Sequence, residues 1–414
     1  MKAPPARPDW SRNLFSVGVT GTNGKTSTTH WIGAALARIQ RPVALATTLG
    51  SFLDDTPVDV PKTWGGFLTT MRACLDGGGH FAALEMTSEA LARGFAKSWP
   101  VQVAVFTNLT HDHLDAHGSP EHYLASKAQL FVHLEPGTSA ILNGCDPASE
   151  LLTQIIPQGV RVLRYGVPSR ATPVLPLDVR ATAVEVTWDG TTVSLEDVVG
   201  LGLPSQFTIQ ALGDVYAENA LAAVLASVQA GVAPYDAVEA VGTCAAPPGR
   251  FEVVHRRPYV VVDYAHSPDA LTRTLLAARR LCTGKLTVVF GAGGDRDSNK
   301  RGPMGKAATI ADRVVLTSDN PRSEDPKRII QAIRQGIGKR TGVEVVVDRA
   351  QAIELAVRGA GPEDVVVVAG KGHEVVQIVG QEERPFSDVA VVRASLSAPT
   401  PHLRSDRSTS KARP

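Results

Sequence analysis

Residues 18–26 have the sequence Gly-Val-Thr-Gly-Thr-Asn-Gly-Lys-Thr; an apolar run precedes them and a helical pattern over 26–39 follows. A strand, a glycine-rich loop, Lys-Thr and a helix in this order are typical of a phosphate-binding loop. Glycines let backbone N–H groups approach phosphate oxygens, while Lys25 supplies charge and Thr26 suits Mg²⁺. The usual spacing requires glycine where Val19 stands, so a glycine-rich turn with an incidental lysine stays an alternative.

The chain around this loop alternates short apolar runs with helical patterns. Strands are predicted at residues 14–19, 42–47, 81–85 and 101–108, which indicates a mostly parallel sheet covered by helices. Residues 160–212 differ, because Asp189-Gly190 separates two alternating runs and predicts a hairpin. We expect a small antiparallel insert there, followed by a helix over 218–231.

A second α/β region is predicted beyond the proline pair in Ala-Ala-Pro-Pro-Gly-Arg, residues 245–250. Its strands are expected at 259–263, 286–291, 313–317, 344–347 and 365–369. The predicted fold class is therefore α/β, with a P-loop ATPase-type parallel sheet domain over residues 1–244 and a second, Rossmann-like domain over 245–398. A polar, basic tail over 399–414 is expected to be disordered.

The composition of the chain restricts the classes of partner that it is expected to bind. The 414 residues are 43% hydrophobic and 20% charged with a net charge of +1, which gives no field that favours nucleic acid or a membrane. The four cysteines form no CxxC pair and fit a reducing cytoplasm. The N-terminus lacks a secretory apolar region, and no long apolar stretch predicts a membrane span. Oligomeric state is not indicated.

Carboxylates and imidazoles follow two of the predicted strands. Glu85 ends one strand, where a carboxylate suits either a Mg²⁺ ligand or a helix cap. After the strand at 101–108, residues 111–117 contain three histidines and two aspartates. Their spacing is wrong for a helical zinc site, so a loop that binds a hard cation and a solvated polar loop are both open. Lys127 lies in an apolar helix pattern, where a lysine is normally a surface residue.

These segments together resemble the Mur ligase family, and most of all its MurE branch, whose members add diaminopimelate. The resemblance spans about residues 15 to 395 with the motifs in the family's order. It implies transfer of the γ-phosphate of ATP to a substrate carboxylate and attack of an amine on the acyl phosphate, giving an amide, ADP and phosphate. The segments that carry it are 18–26, 85–91, 107–118, 249–250, 263–266, 293–297, 319–322 and 370–374, with Lys127 and Asn219.

The resemblance also implies roles for individual residues. Two Mg²⁺ sites are expected, one on Thr26 and Glu85 and one on His113 and Lys127, with Lys127 carbamylated. Catalytic roles are expected for Lys25, Lys127, His113, Arg250 and His266. The residues expected to contact ATP are Gly21, Thr22, Asn23, Gly24, Lys25, Thr26, Asn108, Asn219, Arg250 and Asp263.

A second group is implied for the incoming amino acid. Asp319-Asn-Pro-Arg322 matches the motif that contacts diaminopimelate, and a forked Arg322 suits the distal carboxylate, although a surface arginine after a turn is the alternative. The substrate-binding residues expected are Arg296, Asp319, Asn320, Arg322, Gly370 and Glu374.

Several departures from the branch concern the carboxylate acceptor. A domain that binds the UDP end of UDP-MurNAc-dipeptide would precede the phosphate loop, which here begins at residue 18; folylpolyglutamate synthetases also lack it. Trp64 replaces a threonine that touches the acceptor, Glu89 replaces a histidine, and Val215-Tyr216 replaces Phe-Asn. We expect a ligase with ATP and Mg²⁺ as cofactors that joins a small carboxylate acceptor to an amino acid. The alternatives are a true UDP-MurNAc-L-Ala-D-Glu:diaminopimelate ligase of peptidoglycan synthesis and a non-ligating ATP-binding scaffold or switch.

Overall fold

The computed structural model describes residues 4–110 and 119–397, and within them the chain forms two compact units. The first unit contains the chain up to Phe251 together with Ser267–Leu281. The second contains Glu252–His266 and the chain from Cys282 onward. The backbone therefore passes between the units at three peptide bonds, after residues 251, 266 and 281.

The first unit is built on strands β1 to β11 and helices α1 to α9. The strands are β1 (Phe15–Thr20), β2 (Val43–Thr47), β3 (Gly50–Leu53), β4 (Thr56–Val58), β5 (Phe81–Glu85), β6 (Val103–Phe106), β7 (Ser139–Asn143), β8 (Arg161–Gly166), β9 (Val179–Thr187), β10 (Gly190–Asp197) and β11 (Gln206–Ile209). The helices are α1 (Lys25–Leu36), α2 (Trp64–Asp76), α3 (Ser88–Ala92), α4 (Phe95–Ser98), α5 (Pro120–Val132), α6 (Ala148–Ile155), α7 (Asp214–Gln229), α8 (Pro234–Thr243) and α9 (Pro268–Leu281).

These strands form one sheet in the order β11-β10-β9-β8-β7-β6-β1-β5-β2-β3-β4. The pairs from β2 through β5, β1, β6, β7 and β8 to β9 are parallel, and the pairs at both ends are antiparallel. The central strands are short and apolar because helices cover both faces of a parallel sheet. The carboxyl ends of β1 and β5 are adjacent in register, since Val19 pairs with Glu85.

The hairpin predicted around Asp189-Gly190 is present, with one difference. Gly190 pairs with Thr187, so Trp188 and Asp189 form the loop. The strands of this region are not a separate layer, because β8 pairs in parallel with β7 and β9 continues the same sheet. The expected antiparallel insert is thus an extension of the main sheet that begins with a parallel strand.

The second unit contains strands β12 to β19 and helices α10 to α13. The strands are β12 (Glu252–His255), β13 (Tyr259–Asp263), β14 (Leu286–Phe290), β15 (Arg313–Leu316), β16 (Val343–Val345), β17 (Val365–Ala369), β18 (Val376–Val379) and β19 (Glu382–Pro385). The helices are α10 (Arg301–Ala308), α11 (Pro326–Ile337), α12 (Arg349–Arg358) and α13 (Asp388–Ser397). The main sheet has the order β12-β13-β17-β14-β15-β16, parallel except for β12, and β18 and β19 form a separate hairpin.

Each unit has its own apolar core. Met71, Trp99, Phe106 and Phe131 are fully buried in the first core, and valines of β13, β14, β15 and β17 pack with Ile353 in the second. Burial of this apolar surface is the main source of stability in both units.

The α/β fold class expected from the sequence is confirmed. Every strand predicted in the two parallel regions is present within about two residues of its expected ends. Within residues 4–110 and 119–397, no helix has the length and apolar character that crossing a bilayer requires.

Candidate active site

Two glycines with positive φ angles shape the loop after β1. Gly21 has φ 147° and Gly24 has φ 84°, and Gly24 is the residue before α1. A Cβ atom on Gly24 would lie 2.2 Å from Oδ1 of Asn219, which is buried on α7. Only glycine fits there, so the loop and the start of α1 are fixed by close packing.

Two lysine side chains converge on this loop. The Lys25 ammonium donates hydrogen bonds to the carbonyl oxygens of Gly21 (3.1 Å) and Thr22 (2.8 Å). The Lys127 ammonium donates to the same Gly21 oxygen at 2.7 Å and lies 4.2 Å from the centre of the Tyr123 ring. Two cations at one carbonyl create a strongly positive loop, which suits phosphate oxygens.

Lys127 is 1% exposed, so the ordinary expectation of a surface lysine on an apolar helix is wrong. Ser119 caps the start of α5, and its hydroxyl accepts a hydrogen bond from His122 N. The helix directs Lys127 and Tyr123 towards the loop. The Tyr123 hydroxyl lies 3.3 Å from Thr22 Oγ1. The lysine is thus held at the loop rather than at the surface.

Glu85 and Thr26 form an oxygen-rich group at the carboxyl ends of β5 and β1. Glu85 Oε2 accepts hydrogen bonds from Thr26 Oγ1 (3.0 Å), from Thr48 N (3.0 Å) and from Thr48 Oγ1 (3.1 Å). Carboxylate and hydroxyl oxygens are the ligands that Mg²⁺ prefers, so these donors fit a Mg²⁺ ion. The sequence analysis placed Thr26 and Glu85 at one site, and the two side chains are in contact. It gave no indication of Thr48, because nothing in the sequence distinguishes Thr48 from other threonines that follow a strand.

His30 lies one helical turn after Thr26 on α1. Burial lowers the pKa of its imidazole, and the nearby negative charges of Glu85 and Asp55 offset that effect in part. Its ring packs edge-to-face on Phe52 at 5.8 Å, and its Nε2 atom has no hydrogen-bond partner among the described residues. The pKa of His30 therefore lies below the ordinary value of an imidazole, because burial outweighs the charges of Glu85 and Asp55.

Asn108 stabilises the loop directly. Its Oδ1 accepts a hydrogen bond from Asn23 N at 2.9 Å, and its Nδ2 donates to Asn23 O at 3.1 Å. Both polar groups of the side chain thus contact the backbone of Asn23, and Thr22 N donates to Asn108 O at 2.8 Å. The contacts of Asn108 and Asn219 with ATP stay predictions.

Three further expected residues lie near the points where the chain leaves one unit for the other. Arg250 is half-buried between Gly249 and Phe251, both of which have positive φ. Asp263 ends β13, is buried, and accepts a hydrogen bond from Ala265 N at 2.9 Å. The half-buried His266 donates from Nδ1 to Tyr264 O at 2.8 Å. The roles expected for them stay predictions.

The second unit gathers most of the residues expected to bind an amino acid. Asn320 Nδ2 donates to Glu374 Oε2 at 2.9 Å. Lys371, which is fully buried, donates to both Asn320 Oδ1 (2.9 Å) and Glu374 Oε2 (2.8 Å). Gly370 has φ 117°, and a Cβ atom there would lie 2.4 Å from Asp319 Oδ2. Four of the expected residues therefore form one cluster: Asp319, Asn320, Gly370 and Glu374. The sequence analysis missed Lys371, which lies at the centre of this cluster, because the presence of a lysine in a sequence does not indicate whether it is buried.

Arg322 is attached to this cluster through its backbone. Its φ of 51° is unusual for a residue with a side chain, and its N and O atoms bond to Ile378 O (3.2 Å) and Gly380 N (2.7 Å). Its Nη1 donates to Gly294 O at 2.8 Å. Arg322 is half-buried, and its part in binding an amino acid stays a prediction, whereas Arg296 is exposed on the loop after β14.

His113 and the rest of the histidine- and aspartate-rich stretch 111–118 lie outside the described residues. Within the described ranges, no group of three or more His, Cys, Asp or Glu side chains could hold a metal ion. The second metal site therefore stays a prediction.

A cavity of about 1080 Å³ opens beside Glu85 in the first unit. Its wall includes Glu85, Thr48 and the rings of Phe52, Trp64, Phe67 and Phe95. Its volume is at the upper end of what small-molecule sites occupy.

The comparison with known families covers both units. The Mur ligase middle domain matches residues 19–227, and the Mur ligase, glutamate ligase domain matches residues 249–372.

Similar proteins carry consistent names. A UDP-N-acetylmuramoyl-L-alanyl-D-glutamate--2,6-diaminopimelate ligase of Thermosynechococcus vestitus is 41% identical over 93% of this chain and 77% of its own length. The protein of the same name from Geobacillus thermodenitrificans is 37% identical over 93% of this chain and 79% of its own.

Solved structures agree at the level of the fold. A structure with the same ligase name has a TM-score of 0.63 and 32% identity over 92% of this chain and 78% of its own. Folylpolyglutamate synthase of Mycobacterium tuberculosis, complexed with ADP and AMPPCP, has a TM-score of 0.69 at 20% identity and covers 93% of this chain and 91% of its own, which shows a shared fold. On the matched domains and the identities of 37–41%, the chain belongs to the Mur ligase family of ATP- and Mg²⁺-dependent amide-bond ligases.

Proposed function

We propose that the protein joins a carboxylate acceptor to an amino acid such as diaminopimelate through an acyl phosphate, with release of ADP and phosphate. The observation that carries this proposal is the position of the Lys25 ammonium and the buried Lys127 Nζ atom at one loop carbonyl, beside the Thr26–Glu85 oxygen group. A cation and a set of metal ligands at one loop suit phosphoryl transfer, in which stabilising negative charge dominates catalysis.

The residues of the first unit would act on the phosphates. The N–H groups of residues 21–26 and the Lys25 ammonium would bind the β- and γ-phosphates, and Arg250 would bind phosphate as well. The acceptor carboxylate oxygen forms a bond to the γ-phosphorus as the bond to ADP breaks. The amine nitrogen then bonds to the acyl carbon, phosphate leaves, and the amine loses a proton.

Thr26 and Glu85 would hold one Mg²⁺, with Thr48 orienting Glu85 through its two hydrogen bonds. When bound, Mg²⁺ would neutralise the charge of the phosphates. The Lys127 ammonium would lose one proton to become an amine, and the amine would form an N–C bond to CO₂ with loss of a second proton; with His113, the carbamate would hold a second metal. The carbamate keeps one N–H on Nζ, which can still donate to Gly21 O.

The second unit would contribute to both substrates. Asp263 would contact the ribose of ATP, and His266 would lie close to the phosphates. The cluster of Asp319, Asn320, Gly370 and Glu374 would bind the amino acid, together with Arg322 and Arg296. An arginine held in place by its backbone is well suited to a carboxylate, because little ordering is needed on binding.

A second candidate function is the ligation of diaminopimelate to UDP-MurNAc-L-Ala-D-Glu in peptidoglycan synthesis. The names of the relatives at 37–41% identity favour it. The two candidates share the amine and differ in the acceptor. We further propose a cytoplasmic location, because ATP is supplied there.

The test is a measurement of ADP release with UDP-linked and free acyl acceptors, each with and without diaminopimelate, with the product identified by mass. Release that requires both an acceptor and the amino acid supports the ligase. Release without an amino acid, or ATP binding without turnover, favours the scaffold or switch instead.

Replacement of Lys127 tests the metal assignment. We expect Lys127→Ala to lower turnover by at least about a hundredfold, because charge stabilisation in the transition state is lost. The exposed Lys97, on α4, provides the control Lys97→Ala, which should retain activity. Wild-type activity should rise with added bicarbonate, and a Lys127→Ala protein with full activity would refute the carbamate.

A further inference from the structure

The cavity beside Glu85 has the composition of a site for an apolar group. Among its lining residues are the rings of Phe52, Trp64, Phe67 and Phe95 together with four prolines and the side chains of Leu49, Val58 and Val60. Apolar and aromatic walls with a few placed polar groups are typical of small-molecule sites. A phosphate- or sugar-binding site would instead need a dense set of hydrogen-bonding groups.

Trp64 is a rigid part of this wall. It is the first residue of α2, whose start is fixed by the Thr63 hydroxyl, which accepts a hydrogen bond from Gly66 N at 3.2 Å. Its ring stacks on Phe67 with centroids 5.4 Å apart and meets Phe95 edge-to-face at 5.5 Å. A ring already fixed by its neighbours loses little conformational entropy when a ligand packs on it.

The polar groups of the cavity lie beside Glu85, where the reacting carboxylate of the acceptor has to be placed. Lys62 Nζ donates to the carbonyl oxygen of Thr48 at 3.0 Å, and Thr48 N and Oγ1 donate to Glu85. The Lys62 ammonium is therefore one residue away from the proposed Mg²⁺ ligand. Arg93, on the same wall, pairs with Glu89 at 3.5 Å, and the carboxylate of Asp59 also lines the cavity. Attraction of an acceptor carboxylate therefore depends on the Lys62 ammonium and on the Mg²⁺ proposed at Glu85, beside the apolar wall.

From this arrangement we propose that the cavity binds the carboxylate acceptor through an apolar, aromatic or acyl body packed on Trp64, with its carboxylate towards Lys62 and Glu85. The inference rests on the proposed function, because it names the acceptor class of that ligase. The acceptor is thus distinguished by an apolar group next to the reacting carboxylate rather than by a nucleotide-linked sugar.

The experiment compares two acceptors that differ only in this body, N-(2-naphthoyl)-D-glutamate and N-acetyl-D-glutamate. Binding of each to the full chain is measured by calorimetry with Mg²⁺ and a non-hydrolysable ATP analogue. We expect the naphthoyl compound to bind at least about tenfold more tightly, as burial of an aromatic ring on an apolar wall predicts. Equal affinities, or no binding of the naphthoyl compound, would overturn the inference.

Variants show whether the preference arises at this wall. Trp64→Ala should reduce it to about twofold or less, and Trp64→Phe should retain most of it. Val58→Asn, on the half-exposed β4, alters the wall outside the aromatic cluster and should reduce the preference about threefold, which keeps the test decisive if Trp64→Ala does not fold. Tyr235→Ala removes a ring that is 70% exposed and outside the cavity, and it should change nothing. A preference that survives both cavity variants would contradict the proposal.

ADP release separates this inference from the function on which it rests. If the naphthoyl preference depends on Trp64 but neither compound supports ADP release with any amino acid, the proposed ligase is wrong and the apolar site stands. If the acetyl compound supports amino-acid-dependent ADP release and no preference is found, the ligase stands and the apolar acceptor is wrong.

Discussion

The buried Lys371 ammonium lies at the centre of the cluster that we propose to bind the amino acid, which is formed by Asp319, Asn320, Gly370 and Glu374. It bonds to Asn320 Oδ1 and Glu374 Oε2, and it is fully buried. Removing it would take one hydrogen bond from Asn320 Oδ1 and one from Glu374 Oε2, and the loss of a charged hydrogen bond costs about 1.5–3 kcal/mol. Lys371 does not itself need to touch the substrate, so it is a positioning residue.

We predict that Lys371→Met raises the KM for the amino acid by about tenfold or more, with a smaller effect on kcat and little effect on the KM for ATP. Steady-state ADP release checks this, and the exposed Lys306 on α10 supplies the control Lys306→Met. A uniform fall in kcat with unchanged KM values would mean that Lys371 acts elsewhere.

His30 gives the first unit a dependence on pH. Because burial lowers its pKa in the folded protein below the ordinary value of 6.5, the unfolded chain takes up a proton first on acidification. The free energy of unfolding therefore falls as the pH decreases below about 6.5. Urea unfolding at about pH 7.5 and pH 5.5 should show a smaller loss of stability for His30→Gln than for the wild type. His80→Gln, at an exposed position, should behave like the wild type.

At the scale of single residues, the sequence predicted the functional residues that lie in a recognisable local motif. The phosphate loop was recognisable because glycines, lysine and threonine are contiguous, and Thr26 and Glu85 meet because parallel strands end together. Thr48 and Lys371 carried no such signal, since their importance comes from hydrogen bonds to residues 37 and 51 positions away.

At the scale of elements, a buried ion pair joins two helices of the second unit. Arg349 begins α12 and Asp388 begins α13, and both side chains are inaccessible to solvent. Two hydrogen bonds of 2.7 Å connect the guanidinium to the carboxylate, and Arg349 Nη2 also donates to Ala369 O at 3.0 Å. The pair holds both helices against the end of β17, the strand that leads into Gly370.

We predict that Arg349→Leu lowers the free energy of unfolding of the second unit by about 3–5 kcal/mol, because an unpaired buried carboxylate remains. Arg358→Leu is the matched control on the same helix. Arg358 pairs with Glu354 at 3.0 Å but is partly exposed, so its removal should cost about 0.5 kcal/mol or less. Denaturant unfolding followed by far-ultraviolet circular dichroism measures both, and equal losses would show that the buried pair contributes nothing special.

Secondary-structure elements were predicted correctly where a single hydrophobic pattern continued through the whole element. The valine runs of β13 and β17 were predicted with their ends. The strands β3, β4, β12, β18 and β19 were missed, and each has only three or four residues. The central strand β7 was missed as well, although all five of its residues are buried. The insert was predicted from its hairpin turn, but sheet membership is decided by pairing over long sequence distance, which a local pattern does not contain.

At the scale of the whole molecule, the distribution of tryptophan separates the two units. All five tryptophans, Trp10, Trp31, Trp64, Trp99 and Trp188, belong to the first unit. Tryptophan fluorescence therefore reports on the first unit, and circular dichroism reports on both. The two apolar cores are separate, which permits independent unfolding.

We predict that Arg349→Leu shifts part of the circular dichroism transition to lower urea and leaves the fluorescence transition within experimental error of the wild type. If the two signals instead shift together, the units unfold as one cooperative body. The His30→Gln variant is the reciprocal control, because its pH effect should appear in fluorescence.

The three passages of the backbone between the units have a consequence for protein engineering. Helix α9 lies between two segments of the second unit in sequence, yet its contacts assign it to the first. A chimera joined at the proline pair near residue 247 would contain a foreign α9, and that helix would have to pack on the first unit of the host protein. Exchange of residues 282–397 alone would avoid that mismatch but would pair a foreign β17 with the host's β13 in the sheet of the second unit. Exchange of residues 252–266 and 282–397 together replaces the second unit and keeps the host's α9, which makes it the better design for hybrid ligases.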